Sequence, residues 1–214
     1  MSNFRFIFIV GILLSILLSG CDQTKKKYWE NGNLQSKLNY NNDKLDGVAT
    51  WYYENGNKEQ EVTYSKNQLH GPMIRWHRNG SFESKSIYEN GKLQGKATTY
   101  NENGKIISEE NYINDTLSGE YTLWYPGGGM KINGSYEKGL FSGRWLYYNS
   151  AGEIIGTGNY ILGTGVQKAW HPNGIIMREI NYVNNLKHGE ERWYNTEGKL
   201  ENVLLYDQGN LIED

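Results

Sequence analysis

Few residues of this 214-residue chain are of the types that do chemistry: one cysteine, Cys21, and four histidines, His70, His77, His171 and His188. A lone thiol cannot form a disulfide within one chain. His70 and His188 occupy one position of a repeating pattern, where the counterparts are Asp46, Gln94, Ser118, Ser142 and Thr164. His77 and His171 share another with Tyr53, Asn101, Tyr125, Asn149 and Asn195. Columns that accept varied polar residues predict exposed histidines, and no two have the spacing of metal ligands. Glu109-Glu110 and Glu190-Glu191 are adjacent on strands and so point to opposite faces, where they cannot act as acid and base together. Gly127-Gly128-Gly129 is followed by neither a helix nor a well-placed lysine, so it is a turn and not a phosphate loop. These residues predict a protein that is not an enzyme, with no catalytic residues, no metal and no cofactor.

Cys21 is different because of what precedes it. Arg5 supplies a small basic region, and Phe6 to Leu18 is apolar apart from Gly11 and Ser15. That run is shorter than the ~20 residues that span a hydrocarbon core, and it ends in the small residues Ser19 and Gly20. Leu18-Ser19-Gly20-Cys21 resembles the lipobox of bacterial lipoproteins, in which the thiol is diacylglycerated, the peptide is cut before it and the new amino group is acylated, typically with palmitate. The resemblance implies a signal peptide over residues 1–20, a lipidated Cys21 with a polar tether over 21–27, and a membrane held through the N-terminal lipid. Several acyl chains, at about 0.8 kcal/mol per buried CH₂, make such anchoring close to permanent. Localisation is then the bacterial cell envelope. Asp22 resembles an inner-membrane retention signal in some lineages, which leaves inner or outer membrane open.

The rest of the chain, residues 28–214, is periodic. Glycines recur at Gly47, Gly71, Gly95, Gly119, Gly143, Gly165 and Gly189, and again at Gly32, Gly56, Gly80, Gly104, Gly128, Gly152, Gly174 and Gly198, in steps of 24 with one step of 22. A mixed aromatic column follows the first glycine series by five residues: Tyr52, Trp76, Tyr100, Trp124, Tyr148, Trp170 and Tyr194, with Tyr28 ahead of it. A tyrosine column comprises Tyr40, Tyr64, Tyr88, Tyr112, Tyr136, Tyr160, Tyr182 and Tyr206, and leucines follow at Leu45, Leu69, Leu93 and Leu117. A period of this length is the mark of a repeat architecture. The two-residue deletion falls between Tyr160 and Gly165, where the series predicts a turn.

Alternation between turns predicts strands, and 26 glycines with 3 prolines and 14% aromatics suit them. Asn55-Gly56, Asn79-Gly80, Asn103-Gly104 and Asn173-Gly174 each offer two residues that tolerate positive φ, as tight hairpins require. Two positions later stands an apolar residue (Leu34, Phe82, Ile106, Met130, Ile154, Ile176 or Leu200, with Lys58 the exception), and period-two alternation places it on the face of the tyrosine that follows. The expected fold is all-β: an elongated, single-layer antiparallel meander of about eight 24-residue hairpins, roughly fifteen strands in one sheet. Stacked columns of rings and leucines form its core. Charged ends, Lys25 to Lys27 and Glu213-Asp214, discourage strand addition at the open edges.

The pattern Gly-x-x-x-x-aromatic, Asn-Gly, Tyr, Leu-x-Gly is similar to the MORN repeat, and more closely to its bacterial variant form, sometimes described as antitoxin-like. Leu69-His70-Gly71 with Trp76 and Asn79-Gly80 carries it, as does Leu93-Gln94-Gly95 with Tyr100 and Asn103-Gly104. Gly127-Gly128, Ala151-Gly152 and Ile161 to Thr164 depart from it. The resemblance implies the same hairpin meander, a scaffolding, self-associating or attachment role, and no shared catalytic residues.

Aromatics outside the columns are not required by the fold. Trp51, Tyr121, Trp145, Tyr147 and Trp193 stand two or four residues after the repeat glycine, on the face opposite the mixed aromatic column; Tyr53 and Tyr125 stand six after it. A single layer predicts that this second face is exposed, which makes the five rings a candidate binding patch. The net charge of −2 gives no footprint for nucleic acid. The reading is an envelope lipoprotein that acts as a protein-binding or self-associating scaffold, with a protein partner or its own copies. Alternatives are an immunity protein that neutralises an envelope-directed toxin, and a cell-wall glycan binder. Cys21→Ser is expected to move the protein out of the membrane fraction on cell lysis; an unaltered distribution refutes the anchor.

Overall fold

The computed structural model describes residues 22–213, so the signal segment and Cys21 lie outside the described residues. Every regular element among those residues is a strand, and all belong to one 19-stranded antiparallel sheet. In chain order they are β1 (Asp22–Tyr28), β2 (Leu34–Asn41), β3 (Lys44–Leu45), β4 (Gly47–Tyr52), β5 (Lys58–Ser65), β6 (Gln68–Trp76), β7 (Phe82–Glu89), β8 (Lys92–Tyr100) and β9 (Ile106–Ile113). There follow β10 (Thr116–Leu117), β11 (Gly119–Trp124), β12 (Met130–Glu137), β13 (Leu140–Tyr148), β14 (Ile154–Ile161), β15 (Thr164–Trp170), β16 (Ile176–Val183), β17 (Leu186–Tyr194), β18 (Leu200–Asp207) and β19 (Asn210–Glu213). Successive strands pair, with β3 and β4 lying one after the other beside β2, and β10 and β11 beside β9, so the predicted meander is present. The tether at Lys25 to Lys27 is itself strand β1, and bulges split β3 from β4 and β10 from β11, which brings the count above fifteen.

Two kinds of turn alternate, and they do not divide the work as the sequence suggested. At Asn55-Gly56 only Gly56 has positive φ, at +90°. Gly56 N–H donates to the Tyr53 carbonyl and Tyr53 N–H to the Asn57 carbonyl. This is a type I turn closed by a glycine bulge. The turns with two residues at positive φ are the others: Asn42-Asp43, Lys66-Asn67, Asn90-Gly91, Asn114-Asp115 and their successors. These are two-residue type I′ hairpins, whose twist matches that of the strands they join.

A further bulge precedes most strands of the tyrosine column. Tyr100 lies opposite Ile106, but its neighbour Thr99 lies opposite Ser108, so Ile107 is an extra residue. One extra residue reverses the alternation. Ile106 therefore shares a face with Tyr100, and Tyr112 lies on the other. The expected common face of the apolar opener and its tyrosine is corrected throughout, because Tyr52–Lys58, Trp76–Phe82, Trp124–Met130 and Trp170–Ile176 are the same direct pairs. The exception at Lys58 suits this place: its ammonium lies 5.1 Å from the Trp76 ring centroid, over the ring.

The repeat glycines mark another irregularity. Between Val62↔Met73 and Tyr64↔Leu69, one residue of β5 faces three of β6. Gly71 sits in this bulge at φ +118°, and a Cβ there would meet Thr63 at 3.0 Å. Carbonyls that the bulge frees are taken by the residue before the tyrosine: Asn39 Nδ2 donates to the Val48 carbonyl, Asn111 to Glu120 and Asn181 to Glu190. The two-residue deletion removes this bulge and not a turn. Leu162-Gly163 is an intact type I′ turn, and β14 pairs with β15 in unbroken register from Gly156↔Ala169 to Ile161↔Thr164.

Asn185 repairs the contacts around that deletion. Elsewhere the side chain of the second turn residue accepts from the preceding repeat, as Asn67 Oδ1 does from Leu45 N–H and Asp115 Oδ1 from Leu93 N–H. Gly163 has no side chain, and Asn185 reaches past it to accept from Phe141 N–H and donate to the Gly139 carbonyl. Only glycine fits: φ is +77°, and a Cβ would lie 2.9 Å from Asn185 N and Oδ1. Gly152 has a similar φ of +84° with nothing within 4 Å of its Cβ direction. Gly152→Ala is thus expected to cost about 1–2 kcal/mol for the backbone alone, and Gly163→Ala about 3 kcal/mol or more because Asn185 must move as well. Equal losses in denaturant melts would contradict this.

Candidate functional site

The five candidate binding residues lie together on one face, but it is the face of the core. Gly47 pairs with Tyr64, so Ala49 and Trp51 share a face with the tyrosine column, and the same register places Tyr121, Trp145, Tyr147 and Trp193 there. Ala49, Val62, Trp145, Tyr160 and Ile180 are the buried hydrophobic residues, all on this side. Trp145 is only 3% exposed. The expected exposure is corrected: Trp145 is buried, because neighbouring rings lie across it, and Trp51, Tyr121, Tyr147 and Trp193 are half-buried.

Trp145 shows how. Its ring stacks on Tyr121 at 5.7 Å and meets Tyr136 at 5.1 Å and Phe141 at 4.7 Å edge-on. Tyr160 touches Phe141 and Trp145, and Phe141 reaches Tyr182 at 6.2 Å, three strands away in sequence order. Strands so separated are ~14 Å apart in a flat sheet, so the rings lean inward over the gap. Space for the indole comes from Gly134, where a Cβ would lie 2.2 Å from the Trp145 ring. The indole N–H donates to the Ser135 carbonyl.

Beyond this cluster the same face turns ionic. Glu191 is 1% exposed and lies between Arg178, whose Nε donates to Oε1 at 2.7 Å, and Lys187, whose Nζ donates to Oε2 at 2.6 Å. Lys187 occupies the leucine column and lies 4.4 Å above the Tyr206 ring, while Arg178 lies 4.4 Å above Trp193. Burial by itself raises the Glu191 pKa, but the hydrogen bonds and charges of Lys187 and Arg178 outweigh it and hold the carboxyl below its ordinary value. Burial pushes the Tyr136 hydroxyl up to about 12, and raises those of Tyr112 and Tyr160 as well.

The opposite face carries the mixed aromatic column, half-buried, beside a central polar row in which Lys96–Glu109 and Lys168–Glu179 pair at 3.0 and 2.7 Å. One residue after each column aromatic stands the position that holds Trp29, Tyr53, His77, Asn101, Tyr125, Asn149, His171 and Asn195. Its longer side chains tie repeats together. Trp29 Nε1 donates to the Tyr52 carbonyl, Tyr53 hydroxyl to Trp76, His77 Nε2 to Tyr100, Tyr125 hydroxyl to Tyr148 and His171 Nε2 to Tyr194, at 2.7–3.1 Å. A carbonyl can only accept, so Nε2 carries the proton in both histidines. The asparagines instead close their own turns, as Asn101 Oδ1 does on Asn103 and Lys105 N–H. His77 and His171 are half-buried structural donors, a correction to the exposure predicted for them; His70 and His188 are exposed as predicted.

The asparagine of Asn-Gly has the same function. Asn55 Oδ1 accepts from Asn57 N–H while Nδ2 donates to the Arg78 carbonyl of the next repeat, and Asn31, Asn79 and Asn173 repeat the bond to Glu54, Glu102 and Thr196. The sequence contained this signal as a 23-residue offset between polar tips and carbonyls, but only the turn geometry makes it readable. Among the described residues no three His, Cys, Asp or Glu side chains converge as metal ligands would.

This architecture is that of a hairpin-repeat scaffold. A family model, the MORN repeat variant, matches residues 24–42, 45–66, 83–98, 93–114, 164–184 and 187–208, more than half of the chain, and the chain belongs to that family. No curated protein matches the chain. The segment from 115 to 163 falls outside the matched repeats, and it contains the ring cluster around Trp145.

Both ends of the pH scale test these assignments. Glu191 has a depressed folded pKa, so its contribution is complete above the unfolded value of ~4.3 and is lost as pH falls below it. Tyr136 has a raised one, so its contribution is complete below pH ~10 and is lost as pH climbs through 12. Thermal melts of Glu191→Gln should lack part of the wild-type decline below pH 4.5, and should already be lowered by about 2–4 kcal/mol at neutral pH because two cations lose their partner. Trp145→Ala should cost about 3–5 kcal/mol.

Proposed function

We propose that the protein is a non-enzymatic lipoprotein of the bacterial cell envelope, anchored through lipid on Cys21, whose repeat sheet is a scaffold for protein association. What supports the scaffold reading most is how side chains are used. The Tyr53 hydroxyl, His77, His171 and turn asparagines such as Asn55, which would otherwise be available to a ligand, are bonded to the next repeat. Trp145 is buried, and Trp51, Tyr121, Tyr147 and Trp193 are half-buried at separate places along the same face, which makes them a poor platform for stacking a sugar. What is left for partners among the described residues is the mixed-charge face, with Lys96–Glu109 and Lys168–Glu179 along it.

Attachment at residue 21 suits this arrangement, since β1 begins at Asp22 and a lipid there would place one end of the sheet at a membrane surface. The far end would then project away from it. In-cell crosslinking of the full chain, followed by mass spectrometry, is expected to capture specific envelope proteins or further copies of the chain. Recovery of neither, at crosslinking yields that trap a known envelope complex, would refute the scaffold role.

A further inference from the structure

The missing bulge between β14 and β15 leaves one asparagine without its usual partner. At the position before the tyrosine, Asn39, Asn111 and Asn181 each donate their side-chain amide to a carbonyl that a bulge frees in the next strand. Asn159 holds the same position, but β14 and β15 pair there in unbroken register, so no carbonyl is freed and its exposed amide makes no hydrogen bond among the described residues. Arg144 stands directly opposite it on β13 and is exposed too. Among the other arginines of the sheet, Arg75, Arg178 and Arg192 each hold a carboxylate and Arg78 lies over the Tyr53 ring. Among the described residues Arg144 has neither.

Both side chains lie on the face opposite the tyrosine column, because Asn159 precedes Tyr160 and alternation turns it the other way. On that face Asn159 also pairs with Val166, and Thr157 pairs with Lys168. Together with Ile161 they line a cleft of about 500 Å³ over β13, β14 and β15. Its lining contains Arg144 and Lys168 and no carboxylate. Lys168 is held by Glu179 at 2.7 Å, so Arg144 is the charge left for a ligand. The rim is apolar: Ile161 is 80% exposed and Val166 37%. Leu162 extends it into the turn at φ +47°, a place where the equivalent residues Asn42, Lys66, Asn90, Asn114, Lys138, Asn184 and Gln208 are all polar.

We propose that this cleft binds an acidic segment of a partner protein, in which a glutamate or aspartate is flanked by apolar side chains. The carboxylate would lie between the Arg144 guanidinium, whose fork can donate to both oxygens, and the Asn159 amide. The apolar neighbours would cover Ile161 and Val166 and take them out of water. Charge complementarity selects the occupant. On a chain of net charge −2 the lining of this cleft is purely positive, so it attracts an acidic segment and repels a basic one. A small inorganic anion would satisfy Arg144 but leave the apolar rim exposed.

This inference rests on the scaffold reading and names the chemistry of its partner. The probe is a blocked hexapeptide of alternating leucine and glutamate, titrated into the isotope-labelled full chain carrying Cys21→Ser, in mild detergent, and followed by NMR. The Asn159 side-chain amide and Arg144 Nε–H signals are expected to shift and saturate. Changing the peptide's glutamates to glutamine, changing its leucines to serine, or introducing Arg144→Gln should each weaken binding about tenfold or more. Arg144→Glu should lose this peptide and gain one with lysine in place of glutamate, a reversal that a purely structural Arg144 would not give. Absence of these shifts at millimolar peptide, or equal binding of the glutamine peptide, overturns the proposal. Equal shifts from sodium acetate or inorganic phosphate overturn it as well, since they make the cleft a site for an adventitious ion only. The peptide changes are read on the protein with Arg144 intact, so they decide even where an Arg144 variant melts early. In the crosslinking experiment Arg144→Glu should lower partner capture about tenfold. Unchanged capture removes this cleft and leaves the scaffold role standing, whereas capture of nothing by the unsubstituted chain removes the scaffold role and leaves the titration to decide the cleft.

Discussion

A two-stranded hairpin cannot take its own rings out of water, and every other feature of this protein follows from that constraint. Each repeat is stable only against its neighbour. The tyrosine column is therefore shared burial: Phe141 of one hairpin covers Trp145 and Tyr160, and Tyr182 of the next covers Phe141. Polar side chains obey the same rule along both margins of the sheet. Asn55, Tyr53 and His77 bond to carbonyls about one repeat further on, and turn residues such as Asn67 and Asp115 bond back to the leucine before them. Hydrophobic burial and hydrogen bonding are thus laid out along the same axis, which is why 24-residue spacing is kept so strictly.

The fold was legible in the sequence because one side chain in each column does one task. The details that were not legible concern parity. A single extra residue, such as Ile107, turns the following strand over, and nothing in its type announces the bulge. Once Ile106 and Tyr112 are placed on opposite faces, Trp51, Tyr121, Trp145, Tyr147 and Trp193 move to the face that carries the core, with Trp145 buried and the others half-buried. Asn-Gly misled for a related reason. Asparagine tolerates positive φ, but at Asn55 it is chosen for an amide that can accept and donate at once, while residues as ordinary as Lys66 and Leu162 take up positive φ in the other turns.

The ion triad around buried Glu191 shows how the array tolerates an exception. Lys187 stands where a leucine is expected, and its charge is met by Glu191 and the Tyr206 ring without disturbing the register of β16, β17 and β18. The missing bulge between β14 and β15 is a second exception, absorbed by Asn185. In each case the correction lies within one or two hairpins, as expected where stability is a sum of nearest-neighbour terms.

The meander also determines how the protein would bear load. Tension applied between its first strand and its last acts across the hydrogen bonds of successive hairpins in series, one ladder at a time, so no distant contact shares the burden. Under pull the sheet would lengthen in discrete steps of one repeat, each hairpin giving way alone and able to zip closed again when the force drops.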